Sequence, residues 1–174
     1  MVNAEETQRV CGLKKEDFQT TVNGKKTDLY ILRNKEGNEV AITNYGGAIV
    51  AIMVPDRKGN LANIIQGHDN IQDVIVSPEP YLSTLIGRYG NRIAKGRFQL
   101  KGKVYSLPIN NGPNSLHGGK NGFNSKVWDA TQINEHAIVL KYTSPYGEEG
   151  FTGEVDVWVA YTLTDSNELF CENQ

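Results

Sequence analysis

Between Glu154 and Leu163 the chain alternates without a break. Val155, Val157, Val159 and Tyr161 occupy one set of positions, and Asp156, Trp158, Ala160 and Thr162 the other. Only an extended strand with two distinct faces has that period of two. Partners for such a strand are written along the rest of the chain in pairs. Asn23-Gly24 separates Asp17–Val22 from Asp28–Arg33 and supplies positive φ at low cost, which predicts a tight hairpin turn. Tyr45-Gly46-Gly47 stands between Val40–Asn44 and Ala48–Pro55, and Lys101-Gly102-Lys103 between Phe98–Leu100 and Val104–Leu107. Asn134-Glu135 stands between Trp128–Ile133 and Ile138–Thr143. Short strands punctuated by Gly and Asn predict an all-β chain, an antiparallel sandwich or barrel. One short helix is expected, with Pro80 in its first turn, Tyr81, Leu82, Leu85 and Ile86 on an apolar face, and Gly87 at its end. No internal repeat or linker divides the chain.

After Leu163 comes a turn, Thr164–Asn167, and then Glu168-Leu169-Phe170-Cys171, which opens a further strand three residues before Gln174. A sheet that stops there leaves backbone groups unpaired and an apolar face uncovered. The sandwich is therefore expected to be incomplete, with an exposed edge open to self-association.

In 174 residues, 39% hydrophobic and 22% charged, there is enough apolar side chain for one soluble globular domain. Eighteen basic and twenty acidic residues give a net charge of −2. The basic pairs Lys14-Lys15 and Lys25-Lys26 are scattered through turns and edges, so no basic face for nucleic acid is expected. No stretch approaches the roughly 18 apolar residues of a membrane span, so no membrane partner is expected. Cys11 and Cys171 match no metal-ligand spacing and are expected as free thiols, with one end-to-end bridge the alternative. Residues 1–10 have no apolar centre for a secretory signal. A cytoplasmic protein is expected, or a periplasmic or secreted one if a signal has been removed.

Two glycine-rich segments carry the chemistry. The first is Gly87-Arg88-Tyr89-Gly90-Asn91-Arg92-Ile93-Ala94-Lys95-Gly96; the second is Asn110-Asn111-Gly112-Pro113-Asn114-Ser115-Leu116-His117-Gly118-Gly119. Glycine lets the main chain come close to a ligand, and loops on a rigid sheet are the usual seat of binding residues. Asn offers a donor and an acceptor, Arg a rigid fork of donors, and neutral His one of each, a set suited to a small polar ligand. Elsewhere the signals are weak. His68 and Asp69 are adjacent and would face opposite ways on a strand, so neither a dyad nor a metal site is expected there. His136 reads as a solvated turn residue. Glu148 and Glu149, in Tyr146–Gly153, are the one pair of adjacent carboxylates in a loop; they read as a structural turn. Neither a phosphate-binding loop nor a dinucleotide fingerprint occurs, and no cofactor is implied.

Together the two segments resemble the galactose mutarotase (aldose 1-epimerase) family, which carries G-R-x-x-N-R-I-x-x-G and N-x-x-x-x-L-H-G-G at about this separation. The resemblance covers residues 12–174, as the amino-terminal part of a single, longer β-sandwich domain, with 1–11 as a tail. It implies a galactose mutarotase-like supersandwich that interconverts the anomers of aldohexoses such as galactose and glucose by acid/base ring opening. It further implies that Asn91, Arg92 and His117 bind the sugar. Arg88, four residues from Arg92, reads from its own chemistry as a structural residue that supports the loop, and no metal site is expected. The family's acid is a histidine in an N-H-x-Y-F-N-L type segment and its base a late glutamate. Both would lie beyond Gln174, so the 174-residue chain is expected to be inactive. Thr152 stands where the family more often has proline, in a D-G-E-E-G-x-P-G loop. The alternative reading is a non-catalytic carbohydrate-binding β-sandwich that keeps the same three residues.

Overall fold

Two four-stranded antiparallel sheets, packed face to face, form the body of the computed structural model, which describes residues 9–174. Residues 1–8 of the expected tail lie outside the described residues. Arg9–Val10 (β1) pairs with Leu13–Lys14 (β2), and Cys11 between them donates its backbone N–H and its thiol to Glu39. Asn23-Gly24 turns the chain as expected, both residues having positive φ, but the hairpin joins Thr21–Val22 (β3) to Lys25–Lys26 (β4) and not to the expected Asp28–Arg33, whose residues Leu29–Arg33 pair instead with Glu39–Thr43. Asp17 and Phe18 lie in a 3-10 turn, not in the expected strand. That turn buries Phe18 completely.

The first sheet runs in sequence order through Leu29–Arg33 (β5), Glu39–Thr43 (β6), Ile49–Pro55 (β7) and Leu61–Asn63 (β8). Both of its faces are buried. Leu29 and Ala41 point into one cluster with Phe18, Tyr45, Val50 and Val127, while Leu32, Val40 and Ile42 point into another. Ile71–Val76 (α1) closes the first cluster through Ile71 and Val74, and Asn70 caps it by accepting the Asp73 N–H at 2.9 Å.

The expected helix through Pro80–Ile86 does not form. Ser83 has φ +52°, and the backbone bonds outward to the sheet: the Leu85 N–H donates to the Gly46 carbonyl and the Ile49 N–H to that of Ser83. Apolar spacing in this segment reflects packing against the sheet, not a helical face.

Arg92–Ile93 (β9), the hairpin Arg97–Leu100 (β10) with Lys103–Ser106 (β11), and Ser115–Leu116 (β12) then form two small ribbons. The second sheet is Asp129–Asn134 (β13), Ala137–Ser144 (β14), Val155–Leu163 (β15) and Leu169–Asn173 (β16), again in sequence order. Its inner face presents Ile138, Leu140, Val159, Tyr161 and Leu163 to Leu32, Val40 and Ile42, with Trp128 and Phe123 edge to face beside them. Alternation in β15 comes out as read: Val159 and Tyr161 are buried, Asp156 and Trp158 exposed. The all-β antiparallel sandwich is thus the observed architecture, and the paired segments expected around Tyr45–Gly47, Lys101–Lys103 and Asn134-Glu135 all pair. Among the described residues β16 pairs with β15 alone and forms an edge.

Candidate functional site

The two glycine-rich segments meet through their own backbones. β9 pairs antiparallel with β12, placing Arg92 opposite Leu116 and Ile93 opposite Ser115. Beyond the ribbon the pairing continues between the residues of interest. The His117 N–H donates to the Asn91 carbonyl at 3.1 Å, and the Asn91 N–H donates to His117 Nδ1 at 3.0 Å. Asn91 and His117 both sit in the left-handed region, at φ +66° and +51°. Two strained non-glycine residues facing each other require a surrounding that holds them, a pattern that gathers at binding sites.

That surrounding can be named. Asn110 accepts the Leu116 N–H at 2.7 Å and donates Nδ2 to the Leu116 carbonyl at 3.0 Å, acting as a short extra strand beside β12. Tyr81 lays its ring against the imidazole with centroids 4.6 Å apart. Arg92 donates Nε to Asn111 Oδ1 at 3.0 Å and Nη1 to Asn91 Oδ1 at 3.3 Å, so its fork is aimed before any ligand arrives.

These contacts fix the chemistry on offer. His117 Nδ1 accepts a backbone N–H, so the neutral ring carries its proton on Nε2 and presents a donor. Burial, and then the Arg92 charge, hold the imidazole below its ordinary value, favouring that neutral form. Asn91 Nδ2 and Arg92 Nη2 are donors without a protein partner among the described residues. Asn91 and Arg92 are exposed and His117 is half-buried. Together they offer several donors and no base: a site that can hold oxygen atoms and tolerate charge on them, without removing a proton.

A third loop, Ser144–Gly153, braces the other two. Arg88 donates to Ser144 Oγ (2.8 Å) and to the carbonyls of Ser144 (2.9 Å), Pro145 (2.7 Å) and Gly153 (2.7 Å), with a longer contact to Thr152 (3.4 Å). The adjacent carboxylates diverge. Glu148 turns inward to Lys126 (2.5 Å), the Tyr142 hydroxyl (2.6 Å) and the Ser144 hydroxyl. Its burial alone would raise its pKa; the hydrogen bonds from Lys126, Ser144 and Tyr142 outweigh that and hold it below the ordinary value. Glu149 instead reaches the residues after His117, accepting the Lys120 N–H at 2.9 Å and Asn121 Nδ2 at 3.2 Å. Two glycines are required where the loops touch: a Cβ on Gly118 would collide with the Gly87 carbonyl, and one on Gly119 with the Glu149 carboxylate.

The other expected residues stay apart. His68 is half-buried in a loop rather than on a strand, and no group of three or more His, Cys, Asp or Glu side chains converges among the described residues. His136 lies in its hairpin turn, partly exposed, with Nδ1 against the Arg33 carbonyl at 2.5 Å. Cys11 and Cys171 are both free thiols, and burial and the neighbouring Glu39 push Cys11 up, keeping it protonated. No helix among the described residues is long and apolar enough to cross a membrane. A cleft of about 600 Å³ opens beside Arg88 between Leu85, Trp128, Val157 and Cys171; it includes none of Asn91, Arg92 and His117. Tyr81, Asn110 and Glu149 are the site residues that sequence reasoning missed. Asn110 sits inside the second segment; the other two are brought in by folding alone.

Known proteins resemble this chain along most of its length. The family model described as aldose 1-epimerase matches residues 28–174. The galactose mutarotase of Bos taurus is 45% identical over 130 residues, 75% of this chain and 37% of its own length. The aldose 1-epimerase of Escherichia coli is 32% identical over 152 residues, 84% of this chain and 42% of its own. Among solved structures, an aldose epimerase homologue from C. elegans superposes with a TM-score of 0.80 at 26% identity, covering 84% of this chain and 45% of that one. The chain thus spans less than half the length of each of these proteins.

Proposed function

The chain belongs to the aldose 1-epimerase family, and from that premise we propose that it is the amino-terminal part of a longer mutarotase domain. The whole protein interconverts the α and β anomers of aldohexoses such as galactose and glucose, in the cytoplasm. The observation that carries the site assignment is the reciprocal bonding of Asn91 and His117, which brings both glycine-rich segments to one point. Asn91 Nδ2, the Arg92 fork and His117 Nε2–H grip the ring and hydroxyl oxygens of the sugar.

Inversion at C1 requires a base to take the proton of the C1 hydroxyl and an acid to protonate the ring oxygen. The open aldehyde then rotates and recloses on its other face. Charge shifts between these two oxygens during opening, and preorganised donors lower that barrier most where charge develops. This chain supplies the donors. The acid and the base come from residues beyond Gln174, so the 174-residue chain binds sugar and does not turn it over.

Polarimetry on freshly dissolved α-galactose tests the reading. In the protein extended through its remaining domain, Arg92→Ala and His117→Ala should each slow mutarotation by a factor of about 10². His68→Ala and His136→Ala should leave it near the wild-type rate. Wild-type rates in both Arg92→Ala and His117→Ala would remove the assignment. Turnover by the 174-residue chain, lost in Glu149→Gln, would place the acid and base within it. Sugar binding without turnover in the extended protein would favour a non-catalytic carbohydrate-binding module, which the donor-only site equally suits.

A further inference from the structure

We infer that Glu149 is a positioning residue for His117: its carboxylate fixes the turn that follows the imidazole, and through that turn the seat of the imidazole against Asn91. The inference deepens the sugar-site reading of His117 and rests on it. Four observations carry it. The carboxylate uses both oxygens, Oε2 on the Lys120 N–H and Oε1 on Asn121 Nδ2, so it spans the two residues that follow His117-Gly118-Gly119. Gly119 is moulded to it, since a Cβ there would occupy the carboxylate's place. Glu149 takes φ +46°, a conformation that aims its side chain away from that of Glu148 and toward the second segment. The loop carrying it is tied down at both ends, by Arg88 to Ser144, Pro145 and Gly153, and by Glu148 to Lys126 and Tyr142.

The turn Leu116–Gly119 closes with the Gly119 N–H on the Leu116 carbonyl, so displacement of Gly119 is carried directly to His117. The ring itself is faced by the Asn91 N–H, the Tyr81 ring and the Arg92 charge. Of these, the Asn91 bond depends most steeply on ring placement, because a hydrogen bond to one ring nitrogen weakens quickly with angle. A neutral amide could not replace the carboxylate in full: Gln has one acceptor oxygen, and its NH₂ would face a donor.

The test uses nitrogen-15 spectra of the imidazoles in the 174-residue chain, which has three histidines. The His117 signal is assigned with His117→Ala. Wild type should show one neutral tautomer, protonated on Nε2. Glu149→Gly removes the carboxylate at a φ that glycine takes freely. Gly119→Ala keeps the carboxylate but strains the turn itself at φ +106°, and serves as the control in which the turn is known to move. Both should convert His117 to a mixture of tautomers, with the amide spectrum of the two sheets unchanged. In the extended protein, Glu149→Gly should lower kcat/KM for galactose by about ten- to a hundredfold, the size of effect expected when a binding group moves by about 1 Å. Glu149→Gln should fall between the two. An unchanged His117 tautomer in folded Glu149→Gly overturns the inference, whatever Gly119→Ala shows. A changed tautomer with unchanged kcat/KM upholds the positioning and overturns the sugar-binding role of His117 instead.

Discussion

Replacing Arg88 with alanine removes the cation that joins the first glycine-rich segment to the Ser144–Gly153 loop. Its acceptors are not equivalent. The carbonyls of Pro145, Thr152 and Gly153 lie where water can replace the guanidinium, so their loss costs little. Ser144 is fully buried, and Arg88 donates to both its hydroxyl and its carbonyl. A hydrogen bond from a charged donor is worth about 1.5–3 kcal/mol, and the full cost of an orphaned acceptor does not apply here, because the Ser144 hydroxyl keeps Glu148 and Ser144 keeps its place opposite Val155 in the ladder. The loss of the two bonds to Ser144, with a small remainder from the exposed three, is therefore roughly 2–4 kcal/mol. In a domain of this size each kcal/mol moves Tm by about 2–4 °C, so a fall of roughly 10 °C is expected. Thermal unfolding followed by circular dichroism measures the fall in Tm, and urea unfolding the loss of free energy. Arg88→Lys should recover part of the loss, since an ammonium has three donors and no planar fork. Ser144→Ala, made alone and with Arg88→Ala, should show a coupling of about 1–2 kcal/mol. A loss for Arg88→Ala under about 1 kcal/mol, or additive effects of the two substitutions, would show that the guanidinium is not holding the loop.

Two further outcomes follow from named contacts. Asn70→Ala should destabilise α1 by about 1 kcal/mol, read as a lower urea midpoint at unchanged slope, because the Asp73 N–H loses its cap. The pH dependence of the same midpoint should fall in two steps. His117 is held below its ordinary value of 6.5, so the unfolded chain binds the extra proton first; its contribution is present above about pH 6.5 and is lost as pH falls through the folded value. Glu148 is likewise held below 4.5, and its contribution is present above that value and lost in more acid solution. His117→Gln should abolish the upper step and leave the lower one.

The sequence announced most of the fold, because the information was local. A turn dipeptide such as Asn23-Gly24 states its own geometry, and alternation in β15 states which face is buried. Where the reading went astray, the missing information was a partner far along the chain. The segment Pro80–Ile86 has helical spacing, yet Gly46 and Ile49 claim its backbone. The helix that does form has a local signal of its own: Asn70 three residues before Asp73, with Ile71, Val74 and Ile75 on one face. For the site, the types of Asn91, Arg92 and His117 suggested a polar ligand, but spacing alone could not show that Asn91 and His117 exchange hydrogen bonds. Nor could it show that Glu148 and Glu149 serve opposite sides of one loop, since neighbours in sequence diverge when one of them takes positive φ. Tyr81, expected on a helical face, lies against the imidazole for the same reason that the helix does not form: the backbone there bonds to the sheet.

The free edge of β16 leads to the last expectation. Trp158 and Gln174 exchange both backbone hydrogen bonds at 3.0 Å, so Gln174 turns its polar groups toward β15. Pairing alternates along an antiparallel ladder. Glu172 opposite Ala160 and Phe170 opposite Thr162 therefore also turn inward, and Leu169, Cys171 and Asn173 present N–H and C=O outward. Three residues with free donors and acceptors, carrying no charge, form a template for another strand, which natural sheets usually block with lysine, proline or a cover. A second copy fits it in antiparallel register about Cys171, which sets Asn173 against Leu169 of the other copy and Phe170 against Glu172, with no like charges opposed. The 174-residue chain should accordingly associate, seen by size-exclusion chromatography with light scattering as a species that dissociates on dilution. Asn173→Lys, which places two charges at the ends of the paired region, should shift it to monomer without lowering its urea midpoint. In mildly oxidising buffer Cys171 should cross-link the wild-type dimer, and Cys171→Ser should prevent it. A monodisperse monomer at about 100 μM, well within the μM–mM range at which unpaired strand edges associate, would show that β16 is protected in a way its neighbours do not reveal.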